Sequence, residues 1–480
     1  MFIYTSDQIK KIDQEAEQSG MSPFSLMENA GSGLYRKIIT NLSEDDRILI
    51  LAGKGNNGGD GIVLSRYLKN QGYVVDLVFP MGMPKTNAAK SHLYYYQACG
   101  YLINEFNQSE KYDVVIDAIL GVGAALPLMD NLSTITKWVN EQKAKIISID
   151  IPTGVSSNSG EVDAYAIKSD ITYCLHGYKP SAFLFPSSDY YGVMDVVEIG
   201  LKHNSNWKVW TEKDVIHSLP KREKNTHKGT YGTGLLIAGS DEMPGSAALA
   251  AIGAIRFGIG KLSIATTKHA STIIAPLVPE ATYYFREKND VINANFSCVA
   301  IGPGLTPDDE LEDIISSYIN KDVPLILDAG ALTKRIYEDR NSSIILTPHP
   351  GEFSRMTEVE KLNLQQNRIQ LASEYAVQNG VTVVLKGHNT VIAYSDGSGV
   401  INSTGNTGLA KGGTGDTLTG MLLASLSNDQ NIKSAIANAV FLHGYCADEW
   451  IKTNGERTLT AHDFHTLLAK VVKRIEVLSS

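Results

Sequence analysis

Short apolar runs alternate with helical spacings along the first two hundred residues: RILILAG, YVVDLVF, YDVVIDAIL, AKIISIDIP and SDITYCL. Runs that stay apolar at successive positions, separated by helical patterns such as IVLSRYLKNQG, predict parallel strands covered on both faces. The expectation is a doubly wound, Rossmann-like α/β domain. A polar stretch, LKHNSNWKVWTEKDVIHSLPKREKNTHKGTYGTG, then breaks the pattern and carries Pro220 and a basic cluster. It sets a domain boundary near residue 207. Alternation resumes in GLLIAGS, GKLSIAT, CVAIGPG, PLILDAG, SIILTPHPGE and VTVVLKG before two long helical patterns close the chain. This predicts one α/β domain over 1–207 and a second over 208–480.

Composition narrows the ligands more than the fold. The net charge of -9, with no block of Lys or Arg, argues against nucleic-acid and membrane surfaces and leaves small molecules. Cys99, Cys174, Cys298 and Cys446 are scattered without a C-x-x-C pair, so buried reduced thiols are expected rather than disulfides or zinc. The N-terminus has no basic segment followed by an apolar core, and no apolar run reaches the roughly 18 residues of a span. A cytoplasmic protein is expected.

LAGKGNNGGDG, residues 51–61, contains G-x-G-x-x-G (Gly53, Gly55, Gly58) at a strand-to-helix turn. A dinucleotide fingerprint also needs an acid about 20 residues on for the ribose. Asp76 has that spacing but lies inside YVVDLVF, where a ribose ligand would stand at the strand's end. The loop carries Asn56, Asn57 and Asp60, which the fingerprint does not require; they point to hydrogen bonding of a ligand or to a cation, with Gly58 and Gly59 permitting positive φ. A plain turn rich in turn formers is the alternative. Two further strand ends, Asp117 before Gly121 and Gly123, and Asp150 before Pro152, Thr153 and Gly154, should converge with it on one crevice at the carboxyl ends of the strands.

In the second half, NSTGNTGLAKGGTGDTLTGMLLASL sets glycine turns before an amphipathic helix starting near Thr414. Backbone N–H groups at a helix N-terminus bind anions, so Gly412 to Asp416 can embrace a phosphate. A carboxylate there is electrostatically odd unless it acts as a base or beside a cation.

GKGNNGGDG, DAILGVG and DIPTGV in this order resemble the N-terminal domain of the bifunctional NAD(P)HX epimerase/dehydratase family, which acts on hydrated, damaged NADH and NADPH. GGTGD resembles the ribokinase-like superfamily, and KGTYGTGLLIAGS, PGSAALAAIGAIRFGIG, IGPGL, LDAGAL, LTPHPGE and VVLKGHNTVI follow the order of that family's ADP-dependent dehydratase domain. The resemblance covers essentially the whole chain. It implies an enzyme that interconverts R- and S-NAD(P)HX and dehydrates the S epimer at the expense of ADP, giving AMP and phosphate.

By resemblance, epimerase substrate contacts fall on Asn56, Asn57, Gly58, Gly59 and Asp60, on Gly121, Val122, Gly123, Ala124, Ala125, Leu126 and Pro127, and on Asp150, a candidate acid/base. Potassium would be held by Asn57, Asp117 and Thr153; serine is usual at the last position, and threonine keeps the hydroxyl. In the dehydratase domain, substrate would meet Ser246 (usually alanine), Gly304, His349 and Asp416, the catalytic base. Nucleotide would lie against Lys386, Gly387, His388, Asn389 and Thr390, and against Asn406, Thr407, Gly408, Leu409, Ala410, Lys411, Gly412, Gly413, Thr414 and Gly415. Magnesium is expected with the nucleotide, and a homo-oligomer is implied by the family alone.

Two other readings start from the same residues. One is a ribokinase-like kinase of hydroxymethylpyrimidine or a sugar with an accessory binding domain; LTPHPGE together with IGPG counts against it. The other makes the N-terminal domain a non-catalytic binding module, against which Asp60, Asp117 and Asp150 speak.

Overall fold

The structure is a computed structural model that describes residues 1–286, 295–337, 343–428 and 431–478. The five apolar runs of the first half form β1 (Arg47–Ala52), β2 (Val74–Val78), β3 (Val114–Ala118), β4 (Lys145–Ile149) and β5 (Ile171–Leu175). A further strand, β6 (Val193–Val197), completes a sheet of order β2-β1-β3-β4-β5-β6 with every neighbour parallel. Its sequence, VMDVV, is short, carries Asp195 and exposes Val193, so hydrophobicity alone does not mark it.

Helices α1 (Ser6–Gln18), α2 (Pro23–Ile38), α3 (Asn56–Asn70), α4 (Asn87–Ala98) and α5 (Asp130–Asn140) accompany this sheet. Alternate residues of β1 serve opposite faces: Ile48 and Ile50 pack with Leu34, Leu68 and Tyr96, whereas Leu49 and Leu51 pack with Leu132, Ile135 and Val139. Both faces are therefore apolar, and each fully buried Leu or Ile contributes roughly 1.5–3 kcal/mol.

In the second half the strands are β7 (Trp207–Val209), β8 (Thr233–Ile237), β9 (Lys261–Thr266), β10 (Thr282–Phe285), β11 (Cys298–Ile301), β12 (Leu325–Leu327), β13 (Ile344–Leu346), β14 (Thr382–Leu385), β15 (Thr390–Ala393) and β16 (Gly399–Asn402). Among the described residues they form one sheet of order β10-β9-β8-β11-β12-β13-β14-β15-β16-β7. Neighbours from β10 to β14 are parallel, and β14, β15 and β16 pair antiparallel. Helices α6 (Glu212–Ser218), α7 (Pro244–Phe257), α8 (Lys268–Ile274), α9 (Asp309–Ile319), α10 (Pro350–Thr357), α11 (Lys361–Asn379), α12 (Thr414–Asn428), α13 (Ile432–Trp450) and α14 (Phe464–Leu478) surround it.

The helix expected to be amphipathic, α12, is instead buried over most of its surface, including Thr417, Leu418, Thr419, Gly420, Met421, Leu422 and Leu423. It packs against α7, whose Ala247, Ala250, Ala251 and Ala254 are small enough to admit a second backbone closely. By contacts the chain divides into one unit of Met1–Trp207 with Gln365–Asn367 and another of Lys208–Leu364 with Arg368–Ser480. All four cysteines are free, Cys99 exposed and the others buried. No helix among the described residues is long and apolar enough to cross a membrane.

Candidate active sites

In the first unit, β1, β3, β4 and β5 end beside one cavity of about 270 Å³. Asn56, Asn57, Asp60, Gly121, Val122 and Asp150 line it, as do Asp13 and Glu17 of α1 and His176 and Lys179 after β5. Its remaining wall is largely apolar, from Ile9, Ile12, Met21, Leu26, Met27, Ile199 and Leu201. Gly58 and Gly59 and the segment Gly123, Ala124, Ala125, Leu126 and Pro127 do not border it.

Gly58 and Gly59 serve packing and not positive φ, which corrects the expectation drawn from sequence. Helix α3 already begins at Asn56, and a Cβ on Gly58 would lie 2.0 Å from the Gly53 carbonyl oxygen, one on Gly59 2.4 Å from Met27 Sδ. Asp76 offers nothing to a ribose: it accepts from Arg47 at 3.0 Å, Asn104 at 2.8 Å and Tyr112 at 3.1 Å.

Asp150, just past β4, adopts a left-handed φ of 69°, a strained value for a residue with a Cβ. Its Oδ1 accepts from Leu175 N–H at 3.1 Å and pairs with Lys179 Nζ. Lys179 is 1% exposed and also donates to the Leu175 and Gly177 carbonyls, at 2.9 and 3.1 Å. A buried ammonium needs this full set of acceptors, so Lys179 and Asp150 hold each other in place. Asp60 is held well above the usual carboxylate range by burial and then by the charges of Asp150 and Asp13. His176 has a φ of 63° and is pushed down to about 4 by burial, so its ring is neutral. Both its nitrogens are buried without a hydrogen-bond partner among the described residues.

Asp117 is fully buried under the loops and accepts from Thr153 N–H at 2.8 Å, Thr153 Oγ1 at 2.7 Å and Ser148 Oγ at 2.9 Å. Thr153 Oγ1 accepts in turn from Leu120 N–H at 3.1 Å, and Asn57 Nδ2 donates to the Leu120 carbonyl at 2.8 Å. Asn57 Oδ1 is left buried with no partner among the described residues. An orphaned amide oxygen in a network with a carboxylate and a hydroxyl fits a hard monovalent cation, so the residues present suit potassium.

The second unit gathers its polar groups at the ends of β11 to β14 and the start of α12. Lys386, one residue past β14, pairs with Asp328 Oδ1 at 2.9 Å and is no solvated strand end. Asp328 also accepts from Thr347 at 2.8 Å and Thr419 at 2.7 Å. Burial opposes its charge, yet Lys386 and the two hydroxyls hold it below the usual carboxylate range. The turn after β11 must pass close to Asp328: Gly302 has φ 130°, and a Cβ there would lie 1.7 Å from the Asp328 carbonyl oxygen. Only glycine fits.

Asp416 lies in the first turn of α12 and is pushed up to about 6, chiefly by burial and then by Asp328, against a Ser246 hydrogen bond and Lys386. Gly304 approaches the same group, since a Cβ on it would lie 3.0 Å from Ser246 Cβ. His349 caps α10, its Nδ1 accepting from Gly351 and Glu352 N–H at 3.0 and 3.3 Å. Buried Glu352 adds negative charge that acts on both Asp416 and Lys386.

Next to Lys386 opens a cavity of about 350 Å³ lined by Lys386, Gly387, His388, Asn389, Thr390, Asn406, Thr407, Leu409, Ala410, Thr414 and Gly415. Gly408, Lys411, Gly412 and Gly413 do not border it. Asn402, Thr404, Gly405, Leu418, Val440, His443 and Gly444 complete the wall, none of them foreseen from sequence. His443 is buried, pushed down to about 4, and its Nε2 bonds the Thr414 carbonyl at 2.9 Å. Beneath the β14 loop, buried Arg368 donates to the carbonyls of His388, Leu385 and Lys386 at 3.0, 2.7 and 2.9 Å.

A glycine loop at a buried helix N-terminus, a lysine at a strand end and a helix-borne carboxyl beside them define a phosphate-handling α/β enzyme of the ribokinase-like class. A ribokinase-like superfamily protein from Enterococcus faecalis shares that fold, at 23% identity, TM-score 0.52 and 57% of this chain covered against 98% of its own. Residues 234–470 match the family model described as NAD(P)H-hydrate dehydratase, and residues 23–181 that described as YjeF-related protein N-terminus. The bifunctional NAD(P)H-hydrate repair enzyme Nnr of Moorella thermoacetica is 31% identical, covering 99% of this chain and 97% of its own length. The chain belongs to the bifunctional NAD(P)H-hydrate repair enzyme family. Its second unit is similar to the ADP/ATP-dependent NAD(P)H-hydrate dehydratase of Bacillus subtilis co-crystallized with ATP and magnesium. That likeness has 48% identity and TM-score 0.55, over 57% of this chain and all of that one.

Proposed function

We propose that the chain restores both epimers of hydrated NADH and NADPH to the reduced cofactor, the first unit interconverting R and S forms and the second dehydrating the S form with ADP. The observation that carries the reading is the placement of Asp416 at the start of α12, coupled to Lys386 and Ser246 beside the glycine-lined cavity. Hydroxide is a poor leaving group, and phosphate is a good one. Asp416 takes the proton of the ring hydroxyl as its oxygen attacks the terminal phosphorus of ADP, and AMP leaves. Lys386 and the N–H groups of Gly412 to Gly415 receive the charge that develops on the phosphoryl oxygens. The ring nitrogen's lone pair then expels phosphate, and loss of the neighbouring ring proton restores the reduced nicotinamide.

Asp328, Glu352 and Asp416 set three carboxyls against the single ammonium of Lys386, a donor set that suits a divalent cation. Magnesium bound there with the nucleotide would supply charge to the phosphates, with the Glu352 carboxylate available to hold it. In the first unit potassium would be held by Asn57, Asp117 and Thr153 and would fix the loops that bound the cavity. There Asp150, held by Lys179, gives or takes a proton at the hydroxyl of the hydrated carbon. The same reading makes the protein a cytoplasmic homo-oligomer.

The test is recovery of reduced-nicotinamide absorbance from a mixture of both NADHX epimers with magnesium and potassium, ADP and ATP in parallel. Full recovery with one nucleotide supports both activities and names the donor. Recovery that stalls at the S fraction removes the epimerase. A stable phosphorylated product without recovery turns the reading into a kinase.

A further inference from the structure

We propose that Asp13, on α1, is a second catalytic carboxyl of the first cavity, giving or taking the proton on one face of the hydrated ring while Asp150 serves the other. The inference rests on the epimerase reading. Epimerisation needs the ring C–O bond to break on one face and re-form on the other. The departing hydroxyl takes a proton and leaves as water while the ring nitrogen's lone pair closes a C=N bond; water then adds to the opposite face and surrenders a proton. One carboxylic acid and one carboxylate, on separate elements, balance the cycle, and the return reaction finds them with roles exchanged.

Asp13 meets these requirements, whereas Glu17, one turn further along α1, is exposed. Asp13 lies on the apolar stripe of α1, at the helical spacing of Ile9, Ile12 and Ala16, so its carboxyl is turned to the cavity that Ile9 and Ile12 also line. Among the described residues it makes no hydrogen bond or ion pair, unlike Asp150, which Lys179 holds. The charged and titratable groups facing it are Asp60 on α3, Asp150 after β4, His176 and Lys179 after β5, and Glu17 on its own helix. Burial first and Asp150 second push it up to about 6, with Lys179 opposing, so both of its forms are accessible near neutrality. Asp60 is fully buried and is also raised, by burial first and then by the charges of Asp150 and Asp13.

The experiment uses the full chain without nucleotide, so that only epimerisation runs, and follows purified R-NADHX to S-NADHX by chromatography above the spontaneous rate. Asp13→Asn is expected to lower kcat at least 100-fold with KM within threefold, while S-NADHX plus ADP still yields NADH at the wild-type rate. Asp13 loses its proton as pH rises through about 6, so the wild-type rate should fall above that pH, and residual Asp13→Asn activity should lack that limb. Asp13→Glu, which keeps the carboxyl, should restore a tenth of the rate or more. A wild type that converts R-NADHX beside an Asp13→Asn variant within threefold of it overturns the proposal alone. A Glu variant no better than Asn overturns it too. A wild type no faster than the spontaneous reaction overturns the epimerase reading and this role with it.

Discussion

At Asp416 the surroundings set the working range of the proposed dehydration. A base must be unprotonated, and this carboxyl is raised to about 6, so the active form is present above that pH and lost as pH falls through it. The initial rate of NADH formation from S-NADHX should rise about tenfold per pH unit below 6 and level off above it. Asp416→Asn should abolish the reaction at every pH. A pH profile flat down to pH 5 with intact protein would remove Asp416 as the base. The GGTGD turn made this residue legible from sequence, because few other contexts place an acid among glycines. Its supports were not legible. Asp328 is visible only as a letter in LDAGAL, and its pairing with Lys386 joins residues 58 positions apart. Lys179 and Asp13 escaped for different reasons. Lys179 follows a strand whose end carries a single glycine, Gly177, and no recognisable motif, and Asp13 sits on a helix that precedes the first strand. Asp13 did leave a trace, as a charge on an otherwise apolar helical stripe.

Among the elements, most of the strands that periodicity predicted are buried on both faces, the edge strand β2 with its exposed Val74 being an exception. The ones it missed, β6, β7, β10, β15 and β16, are short or lie at or near an edge of their sheets. β15 and β16 are buried, but hairpin letters such as SDGSG replace the helix between them, so the alternation that marks the other strands is missing. The turn from β1 to α3 was placed correctly for a reason the sequence only half disclosed. Gly58 is needed because backbone meets backbone, so Gly58→Ala should destabilise the first unit by about 3 kcal/mol. Chemical denaturation would measure that loss, and the variant should also lose epimerisation, since Asn57 and Asp60 ride on the same helix turn. An alanine variant as stable as the wild type would mean that the turn relaxes at little cost.

Across the whole molecule, each compact unit carries its own core and its own cavity, so the two proposed activities should be separable by single substitutions. Asp150→Asn should return only the S fraction of an epimer mixture to NADH, and Asp416→Asn none of it. Mixed in equal amounts, the two variants should restore complete recovery, because substrate can diffuse between molecules. A mixture that still stalls at the S fraction would show that the R epimer has to be handled within one chain.

The position of Arg368 bears on how the nucleotide is captured. Its guanidinium lies under the β14 loop, bonded only to main-chain carbonyls in the hydrogen bonds described above and lowered to about 10 by burial alone. A cation seated below the surface is poorly reached by dissolved counterions, whereas a fringe of surface lysines would be shielded within about 10 Å at 0.1 M salt. Nucleotide affinity should therefore decline only gently as potassium chloride is raised, which calorimetric titration would record. Capture would then keep its strength across the range of ionic conditions a cell passes through under osmotic stress.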